Sequence, residues 1–181
     1  MDLAIEKFGK VDAIFNNAGI MPQSNLANGD RDVWKQTFDI NVFGVLNGIS
    51  AVLPIFHKQG HGHILVTDSM AGHQVYPGLS VYSGTKYALQ AIVQGLRLEE
   101  ARNNIRTSII SPGAVRTELF RSVGDDDSAE KLKKSWEGEN SALRSEDVAE
   151  AVVYALDNPQ RVNVSEIIVQ PLYGDLRPDA F

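Results

Sequence analysis

The sequence predicts an α/β fold, a doubly wound parallel sheet with helices on both faces. Three observations predict it. Short apolar runs recur at Val11–Phe15, His63–Thr67, Ile105–Ile110 and Val164–Val169. The stretches between them are long and carry apolar residues at helical spacing. Parallel strands need crossovers of that kind, and a sheet so connected is covered on both sides. The first three runs also stop at small or turn-forming residues, where such a sheet presents its ligand-binding edge.

The elements follow in order. The chain has 181 residues, 43% hydrophobic and 22% charged, which suits one domain over residues 1–181 with a sizeable core. A tail of helix precedes Val11–Phe15, a buried strand that ends in Asn16-Asn17-Ala18-Gly19. Asp30 is placed to cap a helix with Val33, Trp34, Phe38, Ile40 and Val42 apolar, running towards Phe56 with Pro54 disturbing its last turns. Gly60 and Gly62 break that pattern before the strand HILVT. From Val81 to about Asn103 the spacing is helical again, with Tyr87, Leu89, Ile92, Val93 and Leu96 apolar. Ile105–Ile110 is stopped by Ser111-Pro112-Gly113.

Residues 121–141 are polar, charged and glycine-broken around one tryptophan, the profile of a mobile surface insertion or lid. Ser145 is expected to cap the helix SEDVAEAVVYAL, which ends at Asn158-Pro159, and Val164–Val169 is the last strand. About four strands make a short sheet.

Composition excludes several functions. The net charge is −6 and no stretch is basic, so nucleic acid and anionic membrane are poor partners. Cysteine is absent, which removes disulfides and thiolate chemistry and fits a reducing compartment. Asp2, Glu6, Lys7 and Lys10 rule out a signal-peptide pattern at the start, and no uncharged apolar run reaches the roughly 18 residues of a membrane span. The expected location is cytoplasmic. His57, His61, His63 and His73 read as exposed loop histidines and no metal site is expected; Asp125-Asp126-Asp127 reads as a solvated acidic turn without calcium-loop spacing.

Chemistry concentrates elsewhere. Tyr82 and Lys86 lie four apart near the start of a helix, on one face. A phenol titrates near pH 10 and works at neutral pH only when a neighbouring cation favours the phenolate. Taken alone the pair is more often an aromatic half-packed in the core beside a solvated lysine. The setting raises its weight, because Ser69 lies just past the end of the second strand, and Asn17-Ala18-Gly19 and Pro112-Gly113 end the strands on either side. Small and hydrogen-bonding residues at three strand ends build a dinucleotide crevice.

These residues resemble a short-chain dehydrogenase/reductase with a single Rossmann-like domain. The likeness runs in order along nearly the whole chain: Asn16-Asn17-Ala18-Gly19 for N-N-A-G, Asn41 in DINVFG, Ser69 in TDSMAG, Tyr82 and Lys86 in YSGTK, and Pro112 to Thr117 in PGAVRT. The resemblance implies NAD or NADP as cofactor and a small-molecule alcohol or carbonyl as substrate. Tyr82 would be the general acid/base, Lys86 would lower the tyrosine pKa and hold the nicotinamide ribose, and Ser69 would hydrogen-bond the substrate oxygen. Asn41 would anchor a water behind Lys86. Val115 and Thr117, after Pro112 and Gly113, would contact the carboxamide; Asn17, Ala18 and Gly19 would lie against the adenosine half. His73, Gln74, Val75, Tyr76 and Trp136 would border the substrate pocket. A homodimer or homotetramer through helices 30–58 and 81–103 is implied as well.

None of the 15 glycines forms the G-x-G-x-x-G turn that receives a pyrophosphate. The resemblance places Met1 near the end of the family's third helix, so the fold is expected to be truncated to the last four strands, with the strand at 11–15 as an open edge and cofactor affinity much reduced. The alternative function is a catalytically silent chain that acts through oligomer or protein contacts.

Overall fold

The computed structural model describes residues 1–137 and 140–173. Its centre is a sheet of four parallel strands: β1 (Ala13–Asn16), β2 (Gly62–Thr67), β3 (Ile105–Pro112) and β4 (Glu166–Val169), in the order β1-β2-β3-β4. The sequence-predicted strands lie within two residues of these positions. Helix α1 (Asp2–Phe8) precedes the sheet and ends at Gly9 in the left-handed conformation. Helices α3 (Gly44–Gln59) and α4 (Ser80–Glu100) follow β1 and β2, and α6 (Ser145–Leu156) precedes β4.

Side-chain alternation along the strands divides the core into two layers. Ile64, Val66 and Ile109 pack with Val45, Ile49, Val52 and Phe56 of α3 and Leu89, Val93 and Leu96 of α4. Leu65 and Ile110 point the other way, onto Ala151, Val152 and Ala155 of α6. The sheet is therefore covered on both faces, as the sequence predicts. β1 pairs with β2 alone and forms an edge among the described residues, with Phe15 40% exposed.

The long helix after Asp30 is not one regular element. Helix α2 (Arg31–Phe38) passes through a π turn (Asp39–Phe43) into α3. Contrary to the expectation that no run is long enough, an 18-residue window of Arg31–Gln59 is long and apolar enough to cross a membrane by length and composition; in this fold Val52 and Phe56 are fully buried against the sheet instead. Pro54 does not end α3. It lies on the exposed face together with Ser50, whose carbonyl loses its helical partner and is open to water. Gly48 lets α3 approach β1 closely, since a Cβ there would stand 2.1 Å from Asn16 Oδ1.

The polar segment 121–141 contains a ten-residue helix, α5 (Asp126–Ser135), where the sequence suggests a mobile insertion. Asp125 caps it by accepting the Ser128 amide hydrogen at 2.8 Å, and acidic residues fill its first turn and lysines its last. Trp136 anchors the segment: it is 7% exposed and meets Phe120 edge-on, centroids 6.4 Å apart. In α6 the cap is Arg144, one residue before the expected Ser145, because the Asp147 carboxylate accepts the Arg144 amide hydrogen at 2.8 Å.

Candidate active site

The carboxyl ends of β1, β2 and β3 open into a cleft of about 1120 Å³. Asn17, Ala18 and Gly19 line it after β1, Ser69 after β2, and Pro112, Gly113, Val115 and Thr117 at the end of β3. Tyr82 and Lys86 reach it from the first turns of α4. All of the residues expected to be catalytic or to bind cofactor, except Asn41, are thus gathered on one surface.

The geometry around Tyr82 is tight. Its phenol faces the Ser69 hydroxyl, which accepts the Ala71 amide hydrogen at 3.1 Å and so fixes the turn Met70–Gly72. The Lys86 ammonium stands 5.7 Å from the Tyr82 ring centroid and donates to the Thr67 carbonyl at 2.8 Å. The Thr67 hydroxyl in turn donates to Asn17 Oδ1 at 2.8 Å. One chain of contacts therefore links the loop after β1, the end of β2 and the start of α4.

Asn41 sits behind the cleft, 1% exposed in the π turn. Its Oδ1 accepts the Ile20 amide hydrogen at 2.9 Å, and its Nδ2 donates to the Ile20 carbonyl at 2.9 Å and to Thr85 Oγ1 at 3.2 Å. Thr85 Oγ1 donates to the Tyr82 carbonyl at 2.6 Å. The side-chain amide is thus engaged by Ile20 and Thr85, and Thr85 links it to the Tyr82 backbone. π turns of this kind recur at functional sites.

Electrostatics depart from expectation. Burial pushes the Tyr82 phenol up to about 12; the Ser69 hydrogen bond opposes the rise and the Asp68 carboxylate adds to it. The lowering expected from Lys86 does not prevail, because Tyr82 is 5% exposed and loss of water disfavours the phenolate more than a cation directed at Thr67 can restore. Burial also pulls the Lys86 ammonium down to about 8, against the opposing pull of Asp68. At neutral pH the phenol carries its proton and most of the lysine its charge.

Other expectations are corrected here. His73, Gln74 and Val75 do not line the cleft, whereas Tyr76 and Trp136 do. His73 instead turns towards Glu166, its Nε2 2.9 Å from Oε1. The four histidines are not a set of exposed loop residues. His57 pairs with Glu100 at 2.7 Å, and His63 lies inside β2, 2% exposed, against Ser108 Oγ at 2.8 Å. Sequence reasoning missed Met21, Leu79, Leu119 and Leu132, which form an apolar wall of the cleft. Met21, Leu79 and Leu119 lie within three residues of the motifs but carry no polar group to mark them, and Leu132 lies in the polar segment.

A parallel sheet with a serine hydroxyl, a phenol and an ammonium gathered at its carboxyl edge defines a Rossmann-like α/β oxidoreductase. The chain belongs to the short chain dehydrogenase family, whose sequence profile matches residues 1–128. An uncharacterized oxidoreductase of Staphylococcus saprophyticus is 46% identical over 173 residues, covering 94% of this chain and 69% of the relative. A serine dehydrogenase solved in its closed form with NADP+ superposes with a TM-score of 0.82 at 32% identity, covering 88% of this chain and 64% of that one. A 3-ketoacyl-(acyl-carrier-protein) reductase from Brucella melitensis, solved with NADH, gives a TM-score of 0.79 at 26% identity, covering 96% and 71%. The chain spans about two thirds of the length of the relatives it matches.

Proposed function

We propose that this site interconverts an alcohol and a carbonyl of a small molecule with a nicotinamide cofactor, NAD or NADP, and that Tyr82 moves the proton. The observation that carries the reading is the phenol of Tyr82 held against the Ser69 hydroxyl at the mouth of the cleft, with the Lys86 ammonium behind it.

The donor set suits the nicotinamide half of such a cofactor. Lys86 Nζ, the Asn17 amide and the Thr117 hydroxyl lie along one cleft, and Gly19 leaves its backbone bare there. Lys86 would hold the ribose hydroxyls, Val115 and Thr117 the carboxamide, and Asn17, Ala18 and Gly19 the adenosine edge. The bound nicotinamide supplies the hydride acceptor or donor.

The protein's own part is the proton. A phenol pushed up to about 12 is protonated at neutral pH, which equips Tyr82 to give its proton to a carbonyl oxygen that is becoming an alkoxide. The Ser69 hydroxyl, with one hydrogen to give, would donate it to the same oxygen as charge develops there. Alcohol oxidation needs the reverse transfer and gains from higher pH. Met21, Leu119, Leu132 and Trp136 would exclude water from the reacting oxygen and favour an apolar flank on the substrate.

A homodimer or homotetramer is part of the proposal, supported by Phe43, Tyr87 and Leu98, which are 54%, 44% and 69% exposed on the π turn and α4. A cytoplasmic location is supported by the absence of cysteine.

The test is a titration of the purified chain with NADPH and NADH, followed by nucleotide fluorescence, beside turnover of a panel of ketones. Micromolar binding, with turnover lost by a factor of about 10²–10⁴ in Tyr82→Phe at unchanged nucleotide affinity, is the expected result. No binding up to millimolar nucleotide would overturn the enzymatic reading for this chain and favour a role in protein contacts.

A further inference from the structure

Four side chains from four elements converge beside the cleft. Asp68 follows β2, His73 closes the turn Met70–Gly72, Gln90 lies on α4 and Glu166 opens β4. One oxygen or ring nitrogen from each of Asp68, His73 and Glu166 lies within 4.8 Å of the others. His73 Nε2 is 2.9 Å from Glu166 Oε1 and 4.0 Å from Asp68 Oδ2. The amide nitrogen of Gln90 marks the point common to all three: it is 2.6 Å from Asp68 Oδ2, 2.9 Å from Glu166 Oε1 and 3.2 Å from His73 Nε2.

Hydrogens from Gln90, Ser111 and the His73 ring face the two carboxylates, the Ser111 hydroxyl 2.7 Å from Glu166 Oε1 and 3.4 Å from Asp68 Oδ2, and the Lys86 ammonium bears on Asp68 while donating to the Thr67 carbonyl. Asp68 Oδ1 is shut off from solvent and has no hydrogen-bond partner among the described residues, on a side chain whose residue is only 1% exposed. Asp68 Oδ2 lies 2.3 Å from where a Cβ on Gly72 would stand, so the glycine is what makes room for the carboxylate. A buried carboxylate oxygen without a partner calls for a positive charge.

We propose that Asp68, His73 and Glu166, completed by the Gln90 side-chain amide, chelate a divalent first-row metal ion of the Zn²⁺ or Mn²⁺ type. Turning the Gln90 amide by half a rotation replaces its NH₂ group at the common point with a carbonyl oxygen, without moving the backbone. The set is then one imidazole nitrogen and three oxygens. An imidazole favours Zn²⁺ and its neighbours, and carboxylates with a carbonyl admit Mn²⁺. Asp68 lines the cleft while His73, Gln90 and Glu166 do not, so the ion would stand behind the cleft wall rather than among the reacting groups. It ties the turn that carries Ser69 to α4 and to β4, and its work is to hold that turn. The competing occupant is a proton shared within the same hydrogen-bonded group.

The experiment uses the full 181-residue chain after chelator treatment and dialysis. Co²⁺ is titrated in with visible d–d absorption as the readout, and Zn²⁺ by calorimetry. One ion per chain with micromolar affinity is expected, with Co²⁺ displaced by Zn²⁺ and affinity reduced at least tenfold in His73→Ala and in Glu166→Gln. His57→Ala/His61→Ala keeps the affinity of the parent. A second variant, Gln90→Glu, adds a carboxylate: it melts at a lower temperature than the parent without metal and regains that loss with Zn²⁺. No d–d spectrum at millimolar Co²⁺, affinity unchanged by His73→Ala and Glu166→Gln, or a Gln90→Glu chain that Zn²⁺ fails to restore would each overturn the proposal. Because none of these readouts requires nucleotide or turnover, failure here is distinct from failure of the enzymatic reading.

Discussion

Asn41 and Ile20 exchange two hydrogen bonds: the asparagine amide accepts from the isoleucine backbone N–H and donates to its C=O, both at 2.9 Å. The side chain thereby mimics a strand partner for the loop that follows β1. Asn41→Ala removes these two bonds and the one to Thr85, leaving Ile20 without either partner. A loss of about 2–4 kcal/mol in urea unfolding is expected. Asn41→Asp should be at least as damaging, because it sets an acceptor against the Ile20 carbonyl.

His63 makes stability depend on pH. Ser108 Oγ donates to the Val164 carbonyl at 2.6 Å, so it accepts from His63 Nε2, which fixes the neutral tautomer with the hydrogen on Nε2. His63 Nδ1 is buried without a hydrogen-bond partner among the described residues. Burial first, and the Arg106 guanidinium second, pull the imidazole down to about 4. The unfolded chain therefore binds this proton first as pH falls, and stability declines between about pH 6.5 and pH 4, by up to about 3 kcal/mol. Chemical denaturation at pH 7 and pH 4.5 measures it. His63→Gln keeps a donor to Ser108 and should flatten that part of the slope.

Lys86 sets an upper pH limit on nucleotide binding. With its ammonium pulled down to about 8, the charge is mostly present at pH 7 and mostly gone at pH 9.5. Nucleotide affinity should weaken across that range, as read by fluorescence titration at both pH values. Lys86→Ala should bind weakly at both and lose the dependence.

The exposed apolar residues of the π turn and α4 predict self-association. Sedimentation equilibrium of the chain at micromolar concentration should report a dimer or tetramer. Phe43→Glu with Leu98→Glu places like charges on that surface and should give a monomer with unchanged circular dichroism.

Much of this was legible in the sequence because local signals and tertiary demands agree. HILVT alternates its side chains between two packed faces and could be read as a strand without knowing what lies on either side. Ser69, Tyr82 and Gly113 meet because each sits at a strand or helix end, and parallel topology brings such ends to one edge. The π turn was not legible, since it depends on Asn41 finding Ile20 and Thr85, which lie far away along the chain. His63 reads both as the first residue of HILVT and as one of four loop histidines; the strand reading holds, since Gly62 already starts β2. The helix at 126–135 was hidden by charge. Its pairs Asp127–Lys131 and Glu130–Lys134 are spaced for mutual support, which a reading centred on apolar periodicity overlooks. His73 and Glu166 gave no signal as a pair, lying about half the length of the chain apart.

The strand order has a consequence for synthesis. Every strand pairs with the one made immediately before it, so the sheet can grow at a single advancing margin as the polypeptide leaves the ribosome. Each of β2, β3 and β4 emerges with its template already in place, and among the described strands none has to be threaded between two others.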